Sequence, residues 1–424
     1  MDSRKQEEPM QLRWKKIIAI LLIGLTILCL AVASGFAGMK LLQHEKRQST
    51  DIEKLQDTVF SGKKEKEVIL PEISQLGAAF NREISRIFLE SGQLNGWQKL
   101  ACGENISLLI VGDSIGAQEW TYAVSEWIED NYLIKCSTTN LSMGGNVSYG
   151  GYVSEKLLPE EASIDLAIVC YGQNDLPESF AEPYEALIRE LYRRNDRCSI
   201  VAILESPQRE YNEKMQTILR LAEYYNFSVA DTIEAFASSG YSYEFLTLDG
   251  VHPNERGQEI YAKSIEQIIA EQVKKAYQEK EKLVLNALSN REEIDASAFL
   301  ADPVFKKATD ENVYTYEHFR YFPSAEFRRI NDTDWEIMFE TGFSGSLGIS
   351  RNMVPGVNQL KIYSNNEEIY NSGKVEWKIN FNLITVDHLI EETLPFEGNL
   401  QLSFLTKEAA DQFFGLIFTD YTPA

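Results

Sequence analysis

The sequence predicts an α/β domain with a parallel sheet, followed by a C-terminal all-β domain. Between residues 100 and 290, short apolar runs alternate with helix-length segments, which is the pattern of successive βαβ units. After Asn290 the helical pattern gives way to alternating or β-branched runs such as VEWKINFNLITV. A long uncharged run near the N-terminus adds a predicted membrane anchor ahead of both domains.

The predicted anchor is Ile17–Met39, which carries no charged residue over 23 residues. This length is sufficient to cross the hydrocarbon core of a bilayer. A cleaved signal peptide is the alternative, because AVASGFA offers small residues near the end of the run. Basic residues precede the run in excess, which predicts a cytoplasmic segment 1–16 and an extracytoplasmic remainder; they are Arg4, Lys5, Arg13, Lys15 and Lys16.

Residues 40–99 are predicted to form a stem and a helical linker. The stem is rich in charge, and Pro71–Glu90 has apolar residues near helical spacing. The α/β domain is predicted over 100–290. Its predicted strands are Ile106–Val111, Leu133–Leu141, Ile164–Tyr171, Ser199–Leu204 and Phe227–Ala230. Its predicted helices are Ala117–Asp130, Ser179–Arg194, Arg209–Tyr225 and Glu255–Tyr277.

Residues 300–424 are predicted to form a separate, mainly antiparallel β domain resembling a sandwich. Trp335 and Trp377 in this region suit stacking on sugar rings, but they suit the core of a sandwich equally well. The sequence leaves both readings of these tryptophans open.

Composition excludes some function classes. The 424-residue chain has 44% hydrophobic and 25% charged residues, as expected of a globular protein, and a net charge of −23. This charge argues against nucleic acid as a partner. Four cysteines of the α/β domain show no CxxC or metal-finger spacing, although one disulfide is possible; they are Cys102, Cys136, Cys170 and Cys198. Glycosylation sequons at Asn140 and Asn146 fall beside the predicted site, which favours a bacterial cell envelope over a eukaryotic secretory pathway.

Four motifs follow predicted strands or precede the last long helix of the α/β domain. They are Gly112-Asp113-Ser114, the glycine-rich NLSMGGNVSYGG, the YGQND stretch ending at Asp175, and DGVHPN from Asp249 to Asn254. Each motif alone is explained equally well by a turn or a helix cap. Their common position at the carboxyl ends of parallel strands favours one functional site.

The residue types in these motifs suit nucleophilic catalysis. A serine hydroxyl such as that of Ser114 needs a base, and His252 is the one histidine between residues 100 and 290. Asp249, three residues earlier, can hold the second ring nitrogen and fix the tautomer. The glycine-rich loop and the Asn174 amide can supply donors to an oxyanion.

These motifs resemble those of the SGNH subgroup of the GDSL esterase/lipase superfamily, over roughly residues 100–270. By that resemblance Ser114 is the nucleophile, and Asp249 and His252 form the Asp-x-x-His block. The oxyanion donors would be the backbone of Ser114 and Gly145 and the side chain of Asn174. Ser142 stands where the family pattern has glycine, which leaves Gly144 as the alternative donor, although the register favours Gly145. The resemblance implies a flavodoxin-like three-layer α/β/α sandwich, no metal or cofactor, and hydrolysis or transfer of acyl groups.

The predicted function is an extracytoplasmic, membrane-anchored serine esterase that removes acyl groups, O-acetyl above all, from cell-surface glycan or exopolysaccharide. One alternative is an O-acyltransferase, in which a sugar hydroxyl intercepts the acyl-enzyme in place of water. Another is a surface binding protein whose hydrolase fold is a relic. The expected partners are an acylated carbohydrate and the membrane, with no nucleic acid. The oligomeric state is left open.

Overall fold

The computed structural model describes residues 94–290, 316, 318–378 and 383–423. Within these ranges no helix has the length and apolar character needed to cross a membrane. The predicted anchor Ile17–Met39 and the predicted helix Pro71–Glu90 lie outside the described residues. Both stay predictions, as do the domain boundaries that depend on them.

The first domain is built on a five-stranded, all-parallel sheet. Its strands are β1 (Ile106–Gly112), β2 (Cys136–Asn140), β3 (Leu166–Cys170), β4 (Ser199–Leu204) and β5 (Ser228–Asp231). The spatial order β2-β1-β3-β4-β5 is that of a flavodoxin-like doubly wound sheet. The predicted parallel α/β domain is therefore confirmed.

Helices cover both faces of this sheet. They are α1 (Gly96–Cys102), α2 (Trp120–Tyr132), α3 (Ser148–Lys156), α4 (Ala181–Arg194), α5 (Glu213–Tyr225), α6 (Thr232–Ser238) and α7 (Glu255–Asn290). Short 3₁₀ turns lie at Pro177–Ser179, Ser206–Gln208 and Tyr243–Phe245. Alternate strand residues point into two separate cores: Leu109 and Val169 pack with α3, α4 and α5, whereas Ile110 and Ile168 pack with α1, α2 and α7. The domain thus has three layers.

Three helices of this domain, α1, α3 and α6, were not expected from the sequence. The sequence does not predict α3 because it contains Gly150 and Gly151, and glycine is a poor helix former. The glycines are needed there since a Cβ would lie 2.1 Å from the Asn146 side chain at one and 2.5 Å from the Tyr171 ring at the other. Tertiary contacts therefore override local propensity.

The second domain is antiparallel, as predicted. Its strands are β6 (Phe319–Pro323), β7 (Arg328–Arg329), β8 (Asp334–Met353), β9 (Gly356–Asn358), β10 (Leu360–Ser364), β11 (Glu367–Asn371), β12 (Val375–Trp377), β13 (Leu383–Phe404) and β14 (Phe413–Pro423). The main sheet has the order β11-β10-β13-β8-β14-β6, with β7 also paired to β8, and β9 pairs with β12 separately. A 3₁₀ turn at Ser324–Glu326 and helix α8 (Lys407–Asp411) complete the domain.

The predicted sandwich is formed by one sheet folded over itself. The ring centroids of Trp335 and Phe413 are 5.5 Å apart. The backbone of Phe413, however, pairs with Arg351, which lies sixteen residues after Trp335 in β8. A straight strand of that length would span about 53 Å, so β8 must fold back. Register shifts in β13 between His388 and Phe396 accompany the bend. Two layers of one continuous sheet therefore enclose the phenylalanine-rich core.

Two open questions from the sequence are answered by packing. Trp335 is buried in the core of the β domain, whereas Trp377 on β12 is only partly buried. No disulfide joins Cys102, Cys136, Cys170 and Cys198, all of which lie among the described residues.

Candidate active site

Ser114 sits in a tight turn directly after β1. Asp113 is fully buried, and its Oδ1 accepts a hydrogen bond of 2.8 Å from the Ile115 N–H, which closes the turn. A Cβ at Gly112 would lie 2.8 Å from the Cys170 carbonyl oxygen, and one at Gly116 would lie 2.6 Å from Ser142 Oγ. The glycines therefore let the turn pack against β3 and against the loop after β2, while the Ser114 side chain stays half-buried at the sheet edge.

His252 and Asp249 lie in a loop that leads into α7. A bridge between Thr247 and Pro253 and a bond of 2.8 Å from the Leu248 N–H to the His252 carbonyl close this loop. Gly250 adopts a φ of 85°, a conformation that favours glycine. The loop brings residues far apart in sequence to the end of β1.

Ser114, His252 and Asp249 form a continuous hydrogen-bonded chain. His252 Nε2 is 2.9 Å from Ser114 Oγ, and His252 Nδ1 is 2.7 Å from Asp249 Oδ2. Asp249 Oδ1 also accepts bonds from the backbone N–H groups of His252 and Val251, at 2.8 and 3.0 Å. With Nδ1–H donated to the carboxylate, Nε2 is free to accept the serine proton.

Asp249 is held as a carboxylate. Partial burial acts to raise its pKa, but the hydrogen bonds from the His252 and Val251 backbone and the His252 ring outweigh burial and lower the pKa to about 2. The negative charge therefore persists at neutral pH, where it can stabilise a developing imidazolium.

The backbone N–H groups of Ser114 and Gly145 are the predicted oxyanion donors, and that role stays a prediction. Among the described residues, no acceptor is present for the N–H of Ser114 or of Gly145. Gly145 has a φ of 71° and only open space where a side chain would lie, so the loop presents bare backbone here. This geometry suits stabilisation of a tetrahedral intermediate.

Asn174 is placed differently from a simple turn former. Its Nδ2 donates to the Asn146 carbonyl oxygen at 3.0 Å and to Asp113 Oδ2 at 3.2 Å. The side chain thus ties the YGQND stretch to both the serine turn and the glycine-rich loop. Its predicted role as an oxyanion donor stays a prediction, because both amide hydrogens already have acceptors.

The sequence reasoning missed a buried polar cluster behind the serine turn. Glu205 directly follows β4 and is fully buried, and the Cys170 thiol donates to its Oε1 at 3.3 Å. Nearby, Lys214 Nζ donates to the carbonyl oxygens of Gly172 and Asp175. The signal was available, because Glu205 occupies the same carboxyl edge as the four predicted motifs.

The carboxyl groups of Asp113 and Glu205 share this cluster with the Cys170 thiol. Their candidate ligand atoms lie within 4.8 Å of one another, close enough to surround a cation. Both Asp113 oxygens already accept hydrogen bonds, however, and the Lys214 ammonium supplies positive charge nearby. Burial, followed by the neighbouring carboxyl groups, raises the pKa of Asp113 well above its usual range. Burial also raises the pKa of Glu205 to about 7. A shared proton therefore fits these groups better than a metal ion.

Comparison with known proteins adds to this geometry. Residues 110–260 match the model of the GDSL-like Lipase/Acylhydrolase family. A search of curated proteins gives no match.

Two solved structures resemble the chain over most of its length. One is described as a two-domain esterase (CEX) active on acetylated mannans: identity is 15%, 80% of this chain and 96% of that chain are covered, and the TM-score is 0.53. For the same esterase co-crystallised with mannopentaose, the identity is 16%, 78% of this chain and 94% of that chain are covered, and the TM-score is 0.54. A putative GDSL-like lipase from Parabacteroides merdae covers 39% of this chain and 96% of its own, with 15% identity and a TM-score of 0.36. At these identities the first two likenesses indicate a shared two-domain fold.

Proposed function

Because residues 110–260 match the model of the GDSL-like lipase/acylhydrolase family, we propose that the protein is a serine esterase acting on O-acetyl groups of a glycan. The observation that carries this proposal is the hydrogen-bonded chain from Ser114 through His252 to Asp249.

In the proposed reaction, Ser114 Oγ attacks the ester carbonyl carbon while His252 Nε2 takes the hydroxyl proton. The carbonyl oxygen becomes an oxyanion facing the backbone of Ser114 and Gly145. Collapse of the intermediate breaks the ester bond, and His252 returns the proton to the departing sugar oxygen. Water then attacks the acyl-serine by the same steps, releasing acetate and regenerating Ser114.

The exposure of the site supports hydrolysis over transfer. The side chains of His252 and Asp249 are 34% and 55% exposed. Water therefore reaches the base directly, and an acyl-serine beside it would be attacked unless the substrate itself covered the site. The same openness suits an acyl group carried on a polymer.

The proposed substrate class is supported by the structural comparison. The solved two-domain esterase that resembles this chain over both domains is described as active on acetylated mannans. We extend that substrate class, acetylated polysaccharide, to this protein as part of the proposal.

The proposal includes a location at the outer face of a bacterial cell membrane, supported by the uncharged run Ile17–Met39 and the basic residues before it. Protease added to intact cells should digest the residues after 40 and spare the N-terminus. Protection of the C-terminal domain would contradict this topology, and a mature chain beginning near Ala37 would identify a cleaved signal peptide.

The function is tested by incubating the purified full chain with acetylated mannan and measuring free acetate and acetylated acceptor oligosaccharide. We expect free acetate from the wild type and none from Ser114→Ala. Acetyl transfer without free acetate would identify an acyltransferase. Binding of the glycan with neither product would identify a binding protein and refute the esterase.

A further inference from the structure

The β domain packs directly against helix α3, which follows the glycine-rich loop of the candidate active site. Val386 and Ile417 from the β domain, together with Tyr316, are buried in the same apolar core as Tyr149 and Tyr152 of α3. The β domain is thus continuous with the core beneath the site, and it touches the helix that the loop residues Gly144, Gly145 and Asn146 lead into.

Tyr149, in the first turn of α3, makes the closest contacts. Its ring stacks on the His388 ring of β13, with centroids 4.2 Å apart and an interplanar angle of 3°. Tyr316 meets it edge-on at 6.0 Å. Across β8, a Cβ at Gly348 would lie 2.6 Å from the Tyr149 hydroxyl oxygen. The ring therefore fills a slot that glycine leaves open in the sheet.

His388 is itself fixed from within the β domain. Its Nε2 lies 3.1 Å from Ser346 Oγ, which lies 2.6 Å from Thr419 Oγ1. Ser346 and Thr419 are buried on β8 and β14. Three neighbouring strands thus hold the imidazole against Tyr149.

Helix α3 is also fixed on the side that faces the candidate active site, by hydrogen bonds and close packing. The N–H and hydroxyl of Ser148 both donate to Asp175 Oδ1, at 2.8 and 2.6 Å. Gly150 lies against the Asn146 side chain, and Gly151 against the Tyr171 ring. A displacement of Tyr149 would therefore be passed to Asn146, whose carbonyl oxygen accepts the Asn174 amide.

We propose that the β domain positions the oxyanion loop Gly144–Asn146 through the stack of His388 on Tyr149. His388, Gly348 and Tyr149 are then positioning residues for the chemical step, whichever acyl ester is bound. The inference rests on the proposed esterase function. It predicts that the β domain influences kcat even for an ester with no glycan for that domain to bind.

The test uses p-nitrophenyl acetate, a small ester, with the full chain. Gly348→Ala should push Tyr149 and lower kcat by about 10- to 100-fold, as expected for a displacement of up to 1 Å at a catalytic group, with KM changed less than about threefold. The matched control is Gly342→Ala in the same strand, where the three atoms nearest to the new Cβ all belong to the exposed side chain of Glu397. This control should keep wild-type kcat.

A second pair of variants covers the case in which Gly348→Ala does not fold. His388→Ala removes the stacked ring and should lower kcat, whereas His388→Phe keeps a flat ring and should restore most of it. Thermal melting and circular dichroism confirm that each variant is folded. Wild-type kcat in folded Gly348→Ala or His388→Ala would overturn the inference alone. Absence of Ser114-dependent activity in the wild type would overturn the proposed function and the inference with it.

Discussion

Replacing Asp249 by asparagine tests how His252 is held in its productive tautomer. Asp249 Oδ1 accepts two backbone N–H groups, and Oδ2 accepts the ring Nδ1–H. An asparagine must place its amide nitrogen on one side or the other. With its oxygen toward the backbone donors, its N–H₂ faces Nδ1 and selects the tautomer that carries hydrogen on Nε2, which cannot accept the Ser114 proton.

The magnitude follows from the cost of turning that amide over. In the productive orientation the amide nitrogen faces the N–H groups of Val251 and His252, so two hydrogen bonds are lost and donors oppose one another. Each unpaired donor costs about 1 to 2 kcal/mol at this half-exposed position, the lower part of the range for buried groups, so the turned amide costs about 2 to 4 kcal/mol. Since about 1.4 kcal/mol corresponds to a tenfold change in rate, kcat should fall roughly 30- to 1,000-fold.

The assay is steady-state hydrolysis of p-nitrophenyl acetate by Asp249→Asn at neutral pH, with folding checked by thermal melting. KM should change little, because Asp249 is not in contact with the bound ester in the proposed mechanism. Formate should restore part of the activity of Asp249→Ala, whose vacated space admits a carboxylate, and should not rescue Asp249→Asn. A kcat within threefold of wild type for Asp249→Asn would refute the tautomer argument.

Three further predictions use the same assay or the stability of the fold. Ser114→Ala and His252→Ala should each reduce kcat by about 10⁴-fold or more, and the double variant should be little worse, because the two residues act as a unit; losses that multiply would contradict a shared mechanism. Asn174→Ala should lower kcat roughly 100- to 1,000-fold if its amide turns to the oxyanion, and should lower the free energy of unfolding by about 1 to 3 kcal/mol because two buried acceptors lose their donor; an unchanged kcat would exclude Asn174 from the chemistry. Burial lowers the pKa of His388 to about 4, below its ordinary value of about 6.5. The unfolded chain therefore binds more protons than the folded one as the pH falls, and the free energy of unfolding should decrease by up to about 3 kcal/mol between pH 6.5 and 4. Urea unfolding of His388→Phe should lack this decrease, and parallel pH profiles for the two proteins would refute the assignment.

The serine turn and the Asp-x-x-His loop could be predicted from the sequence. Parallel strands bring their carboxyl ends to one edge, so motifs after successive strands are expected to meet. His252 was also the single histidine available in that domain. Glu205 follows the same rule, but an isolated acidic residue after a strand resembles an ordinary surface position until its burial is known.

Features created by contacts between distant residues could not be predicted in this way. Helix α3 contains glycine despite the low helix propensity of that residue, because Gly151 must lie close to the Tyr171 ring. The fold in β8 depends on packing of Trp335 on Phe413, which local alternation does not encode. The stack of Tyr149 on His388 could not be predicted either, since the sequence around each residue does not indicate which residue it will contact.

The central claim, that Ser114 is a nucleophile activated by His252, is tested most directly by mapping the adduct of a fluorophosphonate on the purified full chain. Activation of Ser114 by His252 predicts a single phosphonylated peptide, carrying the label on Ser114 in the wild type, with labelling slowed strongly in His252→Ala and absent in Ser114→Ala. A label on another residue, or labelling of Ser114 at an equal rate without His252, would contradict it.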